Sequence, residues 1–104
     1  MRLNNRERDS DPPVDELLQV LSDSHRRELV RVLDEEQVVP LDDVAETLGE
    51  GESSQVVVTS LHHNHLPKME NCGVVEYDFP AREIRRGSRF DDALDVLRRV
   101  LKVE

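Results

Sequence analysis

The fold is decided by the stretch from Thr59 to Asp78, which reads TSLHHNHLPKMENCGVVEYD. Every fourth residue from Leu61 to Met69 is apolar or histidine, and this spacing puts those residues on one side of a helix. Gly73 is typical of a helix C-terminus, where glycine adopts the left-handed conformation at little cost. The residues after Gly73 alternate between apolar and acidic, as in a half-buried strand. The stretch therefore predicts a helix that ends at a glycine and leads directly into a strand.

Helical periodicity also occurs on both sides of this stretch. Pro67 removes one backbone donor and is predicted to kink the fourth helix or loosen one of its turns. Residues 1–12 are polar, without periodicity, and are predicted to be a disordered arm ahead of one domain at 13–104. The predicted helices run from Val14 to Leu21, His25 to Glu35, Leu41 to Leu48, Ser53 or Ser54 to Met69, and Ser88 to about Leu101. The segment from Val38 to Leu41 is predicted to be a short extended connector, and residues 75–79 and 84–86 are predicted to form a two-stranded hairpin.

The composition is strongly acidic, with 23 Asp and Glu against 14 Lys and Arg and a net charge of −9. This balance argues against a polyanionic partner at low salt. The only lysines are Lys68 and Lys102, and aromatic residues make up 3% of the chain. Abundant acid, scarce lysine and an aliphatic core are typical of proteins from extreme halophiles, where molar salt screens the repulsion. An acidic mesophilic protein, or one that binds a basic partner, is the alternative.

Cys72 is the single cysteine, so the chain cannot form an internal disulfide. The N-terminal residues contain no apolar run that could be a signal peptide. No segment approaches the roughly 20 apolar residues that a membrane-spanning helix needs. We therefore expect a soluble, cytoplasmic protein.

Three segments resemble the winged helix-turn-helix domain of ArsR-like transcriptional regulators. They are LQVLSDSHRREL from Leu18 to Leu29, LDDVAETL from Leu41 to Leu48, and the run of His65-Leu66, Met69 and Gly73-Val74-Val75. The pattern LHHNHLPK, followed by GVVEYD, is similar to a haloarchaeal winged-helix family of uncharacterised regulators, over roughly residues 14 to 90. The resemblance implies an α+β winged helix-turn-helix with about five helices and a two-stranded β-wing. It also implies a homodimeric regulator that binds double-stranded DNA.

Two groups of residues are candidates for DNA contact. In the wing, Arg82, Arg85 and Arg86, with Arg89 close by, reverse the acidic character of the chain and could reach phosphates. The alternative is that these arginines pair with nearby acids. On the fourth helix, the side predicted to face outward carries polar residues that could bond base edges or phosphates. These are Thr59, Ser60, His63 and Asn64. The alternative is an ordinary polar helix face.

The histidines suggest a metal site only weakly. His62 and His65 can share one side of a helix, but a closed zinc site needs four ligands, usually in spaced pairs, and Cys72 has no partner cysteine. His65 also coincides with a histidine that ArsR-like helices use for packing. We therefore expect structural histidines, no metal and no cofactor. No nucleophile–base set or nucleotide-binding loop is present, so we do not expect an enzyme.

The fifth helix has a broad apolar side that could serve in dimerisation, through Phe90, Leu94, Leu97 and Leu101. A two-fold dimer would place two recognition helices about one DNA turn apart. The alternative is that this helix packs on the first helix within one chain. A second functional hypothesis is a winged helix that binds protein rather than DNA, because net charge and the lack of arginine on the fourth helix favour such a role.

Overall fold

The structure, a computed structural model, describes residues 14–49 and 53–99. Within these ranges the chain forms five helices and three strands. We label the helices α1 (Val14–Val20), α2 (Ser24–Glu35), α3 (Leu41–Leu48), α4 (54–71) and α5 (Phe90–Arg99), and the strands β1 (Val38–Pro40), β2 (Val75–Asp78) and β3 (Glu83–Arg86). The predicted arm at 1–12, the turn at 50–52 and Leu101 lie outside the described residues. Among the helices described, none is long and apolar enough to cross a membrane.

The predicted α+β winged helix-turn-helix class is confirmed, with a sheet of three strands rather than two. The order is β1-β3-β2, antiparallel throughout. The segment predicted to be a connector supplies the third strand, in which Val39 lies opposite Ile84. The sequence did not predict this strand, because it is only three residues long and contains Pro40, and proline is tolerated mainly at sheet edges. β1 ties the wing hairpin to the start of α3.

The core is aliphatic, as predicted from the composition. Its largest fully buried side chains come from α2, α3, α4, α5 and β3 and from Leu21, directly after α1, and Phe90 is the one aromatic ring among them. Phe90 and Leu97 place α5 against α1 and α2 within the monomer. Burying an aliphatic side chain of this size contributes roughly 1.5–3 kcal/mol, so this packing fixes the helices around the sheet.

Helix α4 is continuous but not uniform. It consists of an α-helix (Ser54–Ser60), a π-helical turn (Leu61–His65) and a second α-helix (Leu66–Asn71). The amide of Leu66 bonds to the carbonyl oxygen of Leu61, five residues back. This widened turn immediately precedes Pro67, whose ring would otherwise clash with the carbonyl four residues earlier. The predicted disturbance at Pro67 therefore takes the form of a π-turn inside a continuous helix.

The end of α4 is a Schellman motif, as the glycine predicted. Gly73 has φ +77°, and its amide donates to the carbonyl oxygen of Glu70 at 2.9 Å. The amide of Val74 donates to the carbonyl oxygen of Met69 at 2.9 Å. Both Met69 and Val74 are buried, which supplies the apolar contact that accompanies this motif. The chain thus turns sharply from α4 into β2, and the wing lies next to the helix.

Candidate nucleic-acid interface

The outer side of α4 is free of acid as far as Met69, in a chain that is otherwise rich in acidic residues. No Asp or Glu occurs from Ser53 to Met69, although the protein has 23 such residues. The side chains exposed along this helix include an amide, a hydroxyl, an imidazole and an ammonium group. These are Gln55, Thr59, His63, Asn64 and Lys68. Such groups can bond base edges and phosphates. The one carboxylate of α4, Glu70, lies near its C-terminal end, where it accepts a hydrogen bond from the Tyr77 amide at 3.1 Å.

Three of the four α4 residues predicted from the sequence lie on this surface. Thr59, His63 and Asn64 are exposed, and Ser60 is half-buried. Gln55 and Lys68 also belong to it but were not among the predicted residues, since they lie near the two ends of the helix, away from the histidine run. Their signal was present in the sequence, since Gln55, Thr59 and His63 are spaced by four residues and Lys68 is the one lysine in the acid-free stretch.

Two of the wing arginines have carboxylate partners. The Arg82 guanidinium lies 2.8 Å from the Asp42 carboxylate, at the N-terminal turn of α3, and this hydrogen bond holds the pKa of Asp42 below its usual value. Arg85 lies 3.1 Å from Glu83 on the same strand. Arg89 pairs with Asp92 at 3.6 Å. The alternative considered for these arginines, pairing with nearby acids, is what the structure contains.

Arg86 corrects the sequence interpretation most clearly, because its side chain points inward. Its Nε and Nη2 atoms donate to the carbonyl oxygens of Leu33 and Asp34, at 2.7 and 2.9 Å. Its guanidinium also lies 5.0 Å from the centre of the Phe90 ring. The last carbonyls of a helix have no partner within the helix, so Arg86 caps the C-terminus of α2. In this position two of its nitrogen atoms are already engaged by carbonyl oxygens of α2.

An aromatic cluster joins α4 to the wing. The rings of His62 and Phe79 lie 4.8 Å apart, and His62 is also 4.8 Å from His63 and 5.8 Å from Tyr77. Phe79 remains 52% exposed, whereas the alternation along the strand had predicted a half-buried side chain. The reason is that β2 ends at Asp78, so Phe79 lies in the wing turn. This cluster is therefore the exposed apolar part of the helix–wing junction.

His65 lies on the opposite, inner side of α4, in a polar network with α2. It is 4% exposed, and its Nδ1 atom accepts a hydrogen bond from Arg26 Nε at 3.1 Å. Desolvation lowers the pKa of His65. The negative charge of Asp23, whose Oδ1 atom is 4.0 Å from His65 Nδ1, opposes that shift, and the positive charge of Arg26 adds to it. Burial would raise the pKa of Asp23, but hydrogen bonds from the backbone amides of His25 and Arg26, together with the charges of His65 and Arg26, outweigh burial, and the pKa is lowered.

This network includes the one group of potential metal ligands found in the described residues. Ligand atoms of Asp23, His25 and His65 all lie within 4.8 Å of one another. The Nδ1 atom of His65 is already bonded to Arg26, however, and a guanidinium beside a divalent cation is unfavourable. The residues therefore fit a structural network better than a metal centre. His62 and His63 lie in the aromatic cluster, apart from this network.

The predicted dimerisation side of α5 is used within the monomer. Phe90 and Leu97 are each 1% exposed, and Leu94 is half-buried. The exposed side of α5 carries acidic residues, including Asp91 and Asp95. A dimer through the apolar residues of α5 would therefore require opening the core, and the alternative of intramolecular packing is the arrangement found.

Comparison with protein families gives a match over most of the described fold. A family model described as "Domain of unknown function (DUF7344)" matches residues 18–85. This range covers the chain from α1 to β3 and includes the whole of the α4 surface and the wing. No curated protein matches the chain.

Proposed function

The chain belongs to the DUF7344 family, a domain of unknown function, and we propose that it is a DNA-binding transcriptional regulator of the ArsR-like winged-helix type. In this proposal α4 enters the major groove. The observation that carries the proposal is the outer side of α4, which is free of acid from Ser54 to Met69 and carries a row of hydrogen-bonding side chains. In a protein of net charge −9, a helix side that carries no carboxylate from Ser54 to Met69 is the surface best suited to approach DNA.

The wing takes a secondary role in this proposal. Arg82 and Arg85 are engaged with Asp42 and Glu83, but all four side chains are well exposed, at 42–67%. Exposed ion pairs contribute only about 0–1 kcal/mol, so exchanging a carboxylate for a phosphate costs little. The two arginines can then bind the backbone beside the groove that α4 occupies. Arg86 takes no part, because it caps α2.

The test is binding of the purified protein to its own upstream DNA and to a scrambled duplex, followed by fluorescence anisotropy. The two series are run at about 0.15 M and about 2 M KCl. Phosphate contacts are strongest at the lower salt concentration, whereas the higher concentration screens the acidic surface of the protein. We expect preference for the upstream duplex. His63→Ala and Gln55→Ala should each weaken that binding by about 5- to 150-fold, the equivalent of one lost base contact.

Gln37→Ala is the matched control, because Gln37 is an exposed glutamine outside α4. Its binding should equal that of the unaltered protein, and melting curves should show that all variants remain folded. Equal affinity for both duplexes, unaffected by the α4 variants, would contradict specific recognition through this helix.

One observation favours a second candidate, a module that binds another protein. Phe79 is 52% exposed in the aromatic cluster while the neighbouring wing arginines already have acidic partners. Exposed aromatic residues are enriched at protein interfaces. If the folded protein binds neither duplex at either salt concentration, this candidate becomes the better one, and Phe79→Ser should then abolish binding to the partner.

A further inference from the structure

Arg26 is a buried cation whose guanidinium forms no direct ion pair with an acid of the described residues. Its residue surface is 9% exposed, and it has no part in the ion pairs of the described residues. Its Nε donates to His65 Nδ1 at 3.1 Å, and its Nη1 donates to the carbonyl oxygen of Val20 at 3.2 Å. Asp23 accepts a hydrogen bond from the backbone amide of Arg26, and the charge of Arg26 acts on this carboxylate without a direct bond from the guanidinium. Buried charges are normally paired, so this one needs an explanation.

The side chain of Arg26 lines a polar cleft between α1 and the end of α4. The cleft has a volume of about 520 Å³, within the range of small-molecule sites. Lys68 brings a second cation to it from α4, and Asn71, Gln19 and Ser22 contribute amide and hydroxyl groups. Arg26 Nη2 has no hydrogen-bond partner among the described residues. The cleft therefore has two cations, with guanidinium donors still available on one of them.

We propose that this cleft binds a small organic anion, a carboxylate or a phosphate ester, whose oxygen atoms accept hydrogen bonds from Arg26 Nη2 and Lys68 Nζ. Planar guanidinium groups favour these two anion types because both present paired oxygen acceptors. The anion supplies the direct ion pair that Arg26 lacks among the described residues.

Glu16 is the one acid that lines this cleft. It lies beside Cys72, whose Sγ atom is 4.0 Å from Glu16 Oε1, and burial together with this carboxylate raises the pKa of the thiol. Cys72 therefore lines the cleft as a neutral thiol rather than as a reactive thiolate. The position of Glu16 favours ligands that carry a hydrogen-bond donor in addition to the anionic group.

The site has a direct connection to α4. The same guanidinium that lines the cleft holds His65, which lies in the π-turn of α4. An anion next to Arg26 offsets the positive charge that opposes protonation of His65, whose other charged or titratable neighbours are Asp23, His25 and Lys68. Ligand binding and protonation of His65 are therefore linked. An effect of the ligand on DNA affinity rests on the proposed function, but binding of the anion does not.

The test is a titration of the full chain with succinate and, separately, with inorganic phosphate, monitored by two-dimensional NMR at constant ionic strength. We expect saturable shifts of the backbone amides of Gln19, Ser22 and Asn71 and a rise in the pKa of His65. The stronger of the two probes identifies the anion type. Lys68→Gln should weaken the binding by about tenfold, the effect of one lost charged hydrogen bond.

Arg99→Gln is the matched control, because it removes one exposed positive charge from α5 and should leave the affinity unchanged. Arg26→Lys keeps the positive charge but loses the planar guanidinium with its paired N–H donors. This variant should reduce binding further than Lys68→Gln if it folds. The absence of saturable shifts with both probes would overturn the proposal, and so would equal weakening by Lys68→Gln and Arg99→Gln. Neither measurement involves DNA, so failure here is distinguishable from failure of the proposed function.

Discussion

At the residue scale, arginines with the same formal charge have different functions in this protein. Arg26 is buried between α1, α2 and α4, and Arg86 caps a helix from a neighbouring strand. Arg82 and Arg85 form exposed pairs. A guanidinium can donate in several directions from one plane, so it can satisfy carbonyl, imidazole or carboxylate acceptors where an ammonium group could not. Arginine in this chain therefore contributes to structure as well as to the surface.

The capping role of Arg86 predicts a stability loss. Arg86→Ala removes two hydrogen bonds to the last carbonyls of α2 and a contact with Phe90, and we expect the free energy of unfolding to fall by about 1.5–3 kcal/mol. Arg85→Ala is the control from the same strand, and it should cost no more than about 1 kcal/mol because its ion pair is exposed. Urea unfolding of both variants measures the difference. Equal losses would contradict the capping role.

The burial of His65 predicts a dependence of stability on pH. Its pKa is lower in the folded protein than the ordinary value of 6.5, so the unfolded chain binds more protons in the window below 6.5. The stability contribution is therefore fully present above pH 6.5 and is lost as the pH falls through the folded-state pKa. The free energy of unfolding, measured at a series of pH values from 7.5 to 5, should decrease as the pH falls below 6.5.

His65→Gln keeps a hydrogen-bond acceptor for Arg26 but cannot take up a proton, so this pH dependence should become shallower. His63→Gln is the matched control, because His63 is exposed and should leave the slope unchanged. A slope that responds to both variants equally would show that the buried network is not its source.

At the element scale, the junction between α4 and the wing depends on two glycines, Gly73 after α4 and Gly87 after β3, that lie against each other. A Cβ atom on Gly87 would lie 2.3 Å from the carbonyl oxygen of Gly73, a backbone atom that has no room to move. The amide of Gly87 also donates to Val74 O at 2.9 Å, and that of Arg89 donates to Gly73 O at 2.7 Å. The start of β2, the end of β3 and the start of α5 are therefore held together by backbone contact.

Gly87→Ala should consequently destabilise the protein, by about 3 kcal/mol or more, because overpacking against backbone cannot relax through a side-chain rotation. Ser88→Ala is the neighbouring control at an exposed position and should change the stability by no more than about 0.5 kcal/mol. Thermal unfolding by circular dichroism compares the two. A melting temperature for Gly87→Ala close to that of Ser88→Ala would refute this close approach.

At the scale of the whole molecule, charge is the dominant property. The net charge of −9 on 104 residues produces self-repulsion in the folded state, and the acid-free side of α4 stands out against it. Salt reduces this repulsion by shortening the Debye length from about 10 Å at 0.1 M to about 3 Å at 1 M. Halophilic composition, inferred from the scarcity of lysine, stays a prediction.

That prediction can be tested by unfolding in urea at about 0.1 M and about 2 M KCl. We expect the urea midpoint to rise with salt, because screening relieves repulsion in the folded state more than in the expanded chain. A variant with exposed acids of α5 neutralised, Asp91→Asn and Asp95→Asn, should show a smaller rise. A midpoint that is independent of KCl would remove the halophilic interpretation. Light scattering on the folded protein, at the same two KCl concentrations but without urea, tests the predicted homodimer.

The helices, the glycine stop and the α+β class followed from local patterns, since periodicity and turn residues act over a few neighbouring positions. Three of the four predicted α4 residues also proved to be exposed. The direction of Arg86, the burial of Arg26 against His65 and the third strand could not be read locally, because the partners are separated by 53, 39 and 45 positions. Long side chains have several acceptors within reach, and which one they meet depends on how the helices pack. The sign of the wing surface was decided in the same way, since α3 brings Asp42 to Arg82.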